Sequence, residues 1–136
     1  MNLLEPAIHE KLKALAGGRV LALCAQQNTV VPFIVFNRVS ADRWRSFNGP
    51  SGVVQAYIQI DAYGADYYEA KNLAAEIEVI LDGFSGLVPY GSNSPQDSVK
   101  ICGMSLENDV DLLEQTVEPF LYRNSMSFLV TYEQEN

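Results

Sequence analysis

An α+β fold, with a single antiparallel β-sheet carrying helices packed on one face, is predicted by three observations on this sequence. Helix-like and strand-like patterns follow one another along 136 residues in the order helix, short strand, hairpin, helix, hairpin. The segment from Val54 to Tyr63 alternates apolar and polar residues with the period of a half-buried strand. The segment after it opens on a helix-capping pattern and continues as an apolar stripe at helical spacing. The length suits one domain over residues 1–136, and no repeat, linker or low-complexity tract divides it.

The elements follow in order. Leu4, Ile8, Leu12 and Leu15 recur at helical spacing, and Gly17-Gly18 stops the pattern. A short strand fits Val20–Leu23, followed by a polar turn. Pro32 opens the β-branched and aromatic run Phe33 to Val39, with the proline at the first position, where a strand tolerates it. Residues Asp42 to Gly52, rich in Ser, Asn, Gly and Pro, read as a long loop. In the return strand Val54, Ala56, Ile58, Ile60 and Ala62 share a core face, and Gln55, Gln59 and Asp61 a polar one, with Tyr57 and Tyr63 among them. Asp66 is the N-cap of a second helix and Glu69 completes a capping box. Ala70, Leu73, Ala74, Ile77 and Leu81 form its apolar stripe, and Gly83 ends it. Gly83 to Asp97 reads as a surface loop. Strands fit Val99–Glu107 and Phe120–Tyr132, joined by an acidic connection with Asp109, Asp111 and Glu114.

Composition excludes several functions. Hydrophobic residues make up 48% and charged residues 19%, which is a globular balance. No apolar run approaches the ~18 residues that cross a bilayer, so no membrane partner is expected. The start lacks a basic region followed by an apolar one, so no signal peptide is expected and the protein is placed in a cytoplasm. Net charge is −8, from 17 acidic and 9 basic residues, which argues against a duplex held by phosphate contacts. The basic residues are unevenly spread: Arg38, Arg43 and Arg45 cluster, and only Lys71 and Lys100 stand between Arg45 and Arg123. Cys24 and Cys102 are expected to be buried free thiols.

The search for chemistry returns little. His9 is the sole histidine and sits among glutamates in the first helix, as a solvated position would. His and Cys are too few and too scattered for a zinc site. The glycines match neither a phosphate loop nor a dinucleotide fingerprint. Asn108-Asp109-Val110-Asp111 lacks the central glycine and distal glutamate of a calcium loop. No catalytic residue, cofactor or metal is therefore assigned. The unusual feature is Arg43, Trp44, Arg45, Phe47 and Asn48, a concentration of the residue types enriched at interface hot spots. Two readings stay open for it: contact with a partner, or Trp44 and Phe47 folding back over the sheet edge.

Four segments in order resemble the phage tail completion proteins. They are Pro32-Phe33-Ile34-Val35-Phe36-Asn37-Arg38-Val39-Ser40, the run from Asn48-Gly49-Pro50 to Asp61-Ala62-Tyr63, Tyr68-Glu69-Ala70-Lys71-Asn72-Leu73 through Leu81-Asp82-Gly83, and the closing Leu121-Tyr122-Arg123 to Val130. The resemblance implies a structural tail-terminator-like subunit of a long-tailed phage or prophage, assembled in the host cytoplasm. Such a protein caps the head-proximal end of the tail tube as a ring of about six copies and joins tail to head. Its implied partners are further copies of itself, the tail tube protein and a head-completion or connector protein, with DNA passing through unbound. Members commonly carry an acidic-aromatic pair before the last strand, and here Glu118-Pro119-Phe120-Leu121-Tyr122 stands in its place. A head-to-tail ring needs two unlike surfaces, for which Arg43 to Asn48 and the acidic Asp109, Asp111 and Glu114 are the candidates. Two other readings compete: a small-molecule-binding or other assembly module, marked by a defined pocket, and an acid–base enzyme, marked by carboxyls buried together near Asp109 and Asp111.

Overall fold

Buried Leu4, Ala7, Ile8 and Leu12 line one side of α1 (Leu4–Leu12), which starts the described chain. The computed structural model describes residues 4–22, 30–46, 49–90, 98–114 and 121–133. After α1 a short 3-10 turn, Ala16–Gly18, reverses the chain with Gly17 at φ 61°, a left-handed value that glycine adopts freely. Six strands follow: β1 (Val20–Ala22), β2 (Phe33–Ser46), β3 (Gly49–Gly64), β4 (Gly86–Pro89), β5 (Ser98–Glu114) and β6 (Leu121–Glu133). α2 (Tyr67–Leu81) lies between β3 and β4.

The fold is α+β, but the sheet is mixed and not purely antiparallel. Its order is β1-β2-β3-β6-β5-β4. β1 runs parallel to β2, with Val20 opposite Ile34, and every other pairing is antiparallel. A tight hairpin can only return a strand antiparallel; residues 23–32 separate β1 from β2 and leave chain for the reversal that parallel pairing needs.

The alternation predicted for β3, and found again in β6, decides the core. Val54, Ala56, Ile58, Ile60 and Ala62 of β3, and Met126, Phe128, Val130 and Tyr132 of β6, are all buried. The apolar stripes of α1 and α2 join the same cluster, so both helices pack on that face of the sheet. α2 is capped as its sequence foretells. Asp66 Oδ1 accepts the Glu69 N–H at 2.8 Å, while Glu69 Oε1 accepts the N–H of Ala65, one residue ahead of the cap, at 2.8 Å. Asp66→Ala is expected to lower stability by ~1 kcal/mol with no change in fold, measured by urea denaturation. Gly64 lets α2 turn directly off β3, since a Cβ there would stand 2.6 Å from the Ala70 nitrogen.

Three segments expected to be loops are strand. The stretch from Asp42 to Gly52 belongs largely to β2 and β3, which pair out to Ser46 and Gly49. The acidic connection after Glu107 is a continuation of β5 to Glu114. Gly86–Pro89, within the expected surface loop, is strand β4. Cooperative pairing overrides the turn composition in each case, because a neighbouring ladder satisfies main-chain groups that Ser, Asn and Gly would otherwise leave to water. Cys102 is exposed, contrary to the expected burial, because it sits where the β5 register shifts between Ile101 and Gly103. Cys24 lies outside the described residues.

Candidate assembly surfaces

The first candidate surface is the far end of the β2–β3 hairpin. Arg43 lies opposite Val54 and Arg45 opposite Pro50, with Trp44 between them at a register irregularity. Phe47 and Asn48 lie outside the described residues. The basic residues are therefore carried on paired strands. Arg38, nearer the body, pairs at 3.5 Å with Glu5 of α1.

The second surface is the end of β5. Asp109, Val110, Asp111, Leu112 and Leu113 are all exposed, and β5 continues to Glu114. Asp111 is committed within the subunit. It accepts from Asn124 Nδ2 at 2.7 Å, from the Tyr67 hydroxyl at 3.1 Å and from Lys71 Nζ at 3.3 Å. The β5 tip is thereby tied to the first turns of α2. The Asn124 hydrogen bond, then those of Lys71 and Tyr67, hold the Asp111 carboxyl below its ordinary pKa. The Asp111 hydrogen bond and charge hold Lys71 above its own. Asp111, with a depressed folded pKa, stabilises above the unfolded carboxylate pKa and loses that contribution as pH falls. Lys71, with a raised one, stabilises below the unfolded amine pKa and loses it as pH rises. The expected result is that Asp111→Asn flattens the pH–stability curve below about pH 4 and Lys71→Met flattens it above about pH 10, both read from denaturation midpoints. Partial exposure keeps both effects small.

The two surfaces do not meet within one subunit. Across the sheet Arg43 stands level with Val54, Tyr132 and Ile101, whereas Asp111 stands level with Asn124 and Ala62. They occupy diagonally opposite corners. Asp109 and Asp111 are exposed on the strand, not buried together as an acid–base pair would be.

A third group escaped the sequence reading. On the sheet face away from the helices, Gln59 Nε2 donates to Asp61 Oδ1 at 3.2 Å and to Ser125 Oγ at 3.2 Å. Arg123 Nη1 donates to the Tyr63 hydroxyl at 3.2 Å and stands 3.7 Å from Asp61 Oδ2. Phe33 stacks on Tyr63 with ring centroids 4.5 Å apart, and Asp61 and Val35 are buried. Alternation placed Asp61 on a polar face, but only the β3–β6 register reveals that Arg123 shares it. This network satisfies a buried carboxylate and braces two central strands.

An open groove of about 550 Å³ runs between α2 and the Ala16–Gly17 turn, lined by Asp66, Tyr68, Glu69 and Glu76 among others. Among the described residues no cluster of His, Cys, Asp and Glu could hold a metal ion, and His9 is exposed on α1. No helix of the described residues is long and apolar enough to cross a membrane.

Residues 7–88, more than half of the chain, match the family model of tail completion protein gp17. No curated protein matches the chain. In three dimensions the chain is similar to one from the virion of a native gene transfer agent particle, with a TM-score of 0.69 and 14% identity, covering 96% of this chain and 94% of that one. At that identity the likeness establishes a shared fold.

Proposed function

This chain belongs to the tail completion protein gp17 family, and from that premise we propose that it closes the head-proximal end of a phage tail tube and joins tail to head. It is a structural protein of the virion tail. In the proposed arrangement about six copies form a ring through one repeated head-to-tail contact. The tail tube protein binds one side and a head-completion or connector protein the other. DNA passes through without specific binding, which the net charge of −8 favours, because a wall of like charge does not retain a polyanion.

Arg43, Trp44, Arg45, Phe47 and Asn48 form one half of the contact in this reading. The acidic end of β5 forms the other. Asp109 and Glu114 supply its charge, and Asp111, held by Asn124, Tyr67 and Lys71, fixes the strand that carries them. The observation that carries the proposal is the family match over residues 7–88. The likeness in fold, over nearly the whole chain, to a chain of a gene transfer agent virion supports it. The test is molar mass in solution by light scattering, alone and with purified tail tubes, followed by negative-stain images. Rings, or binding at one end of the tube, support the role. A monomer that ignores tubes of its own phage removes it.

A further inference from the structure

We propose that successive copies join main chain to main chain, the outer edge of β2 on one copy pairing antiparallel with the outer edge of β5 on the next. This rests on the ring reading above and specifies its contact. β1 covers β2 only at Ile34–Phe36, and β4 covers β5 only at Ser98–Ile101. The end of α2 then occupies two further groups of β5: the Met104 carbonyl accepts from Gly83 N–H, and Leu106 N–H donates to Asp82 Oδ1. Beyond these, no strand of the described residues lies beside β2 from Asn37 to Ser46 or beside β5 from Asn108 to Glu114.

The register says which groups face outward. Ile34 turns its N–H to the Arg19 carbonyl, away from β3. Carried along β2 and across the shift at Val39, that side of the strand presents the main-chain groups of Ala41 and Arg43. Leu106 turns its N–H away from β6. Carried across the shift at Glu107, the groups of Asp109, Asp111 and Leu113 face the same way. Two rows of donors and acceptors with no described strand beside them thus stand on opposite borders of one sheet, long enough for a ladder of about seven residues.

Charge selects which edges meet. Arg43 and Arg45 lie along β2, and Asp109 and Glu114 along β5, so like edges repel and unlike edges attract. Apolar side chains follow the same borders: Val39 is 60% exposed, Val110 46%, Leu112 39% and Leu113 40%, and the joint would cover them. Strand sense agrees. Three antiparallel steps separate β2 from β5, so they run oppositely. Rotation about an axis lying broadly along the strands preserves that sense, so the new ladder is antiparallel and the helices of all copies stay on one side. The two free edges sit at opposite ends of the strand direction, so neighbours are offset, and strands tilted to the ring axis absorb such an offset on closure.

The experiment uses full-length protein with purified tail tubes. Asp109→Pro and Ala41→Pro each remove an outward N–H without touching the β5–β6 or β2–β3 ladder. The expected result is a subunit still folded by circular dichroism that forms no ring, whereas Ala41→Ser, which keeps the N–H and alters no charge, assembles. In parallel, amide exchange of the unmodified protein at residues 41, 43, 109, 111 and 113 is expected to slow by roughly 100-fold on assembly. Rings that form with these amides unprotected overturn edge pairing and leave the ring reading standing. Proline variants that form rings yet fail only at the tube overturn it in favour of a tube-protein contact. Unmodified protein that neither forms rings nor binds tubes overturns both.

Discussion

Arg43→Glu combined with Arg45→Glu is expected to abolish ring formation and tail joining while leaving the subunit folded. Both residues lie on β2 beyond its contact with β1. Reversing them places four negative charges' worth of change against a border that already carries Asp109 and Glu114. Like charges brought together across an interface cost several kcal/mol, so the association constant should fall by at least ~1000-fold. The subunit's own stability should move by no more than ~0.5 kcal/mol, as at other surface sites. A compensating Asp109→Arg with Glu114→Arg in the same chain is expected to restore part of the assembly. If light scattering and images show rings and capped tubes unchanged in the doubly reversed protein, the Arg-bearing hairpin is not the contact.

Phe128→Ala is expected to cost ~3–5 kcal/mol of folding stability, the range for emptying a large buried aromatic site. Phe128 is fully buried at mid-β6, opposite Ile58 on one side and Leu106 on the other, within the cluster that both helices cover. The sheet cannot collapse into the space without breaking ladders on both flanks. Against a total of ~5–15 kcal/mol for a domain, this approaches global unfolding. Leu129→Ala, next along the strand and on the other face, is only partly buried and should cost well under half as much. Urea midpoints with equal slopes measure both; equal losses would contradict a core confined to the helix side.

The sequence was most legible where local chemistry and tertiary structure agree. α2 shows a cap, a stripe and a terminating glycine within one stretch, and its described bounds follow them. β3 and β6 alternate strictly because each is buried on one face along most of its length. β4 was not legible: four residues flanked by Gly and Pro carry no period, and only the pairing of Val88 with Val99 makes them strand. β5 was read short because its shifts at Cys102 and Glu107 break the period of two, sending its later acidic residues onto the opposite parity. The hairpin was read as a loop because its turn-forming residues have no local partner that a sequence displays.

The candidate residues divide the same way. Arg43, Trp44 and Arg45 could be singled out by type alone, and so could Asp109, Asp111 and Glu114. That Asp111 is tied to Asn124, Tyr67 and Lys71, and that Gln59, Asp61 and Arg123 form one network, depends on registers between distant strands. The sequence by itself determined the α+β class, the core faces and the uneven placing of basic and acidic residues, since periodicity and charge are properties of neighbours along the chain. Only the tertiary structure decided the mixed sheet, the long paired arms and the open borders on which the two charge clusters stand. Those follow from which strands lie side by side, and main-chain hydrogen-bonding groups, the same at every residue but proline, leave no mark of that choice in the side chains.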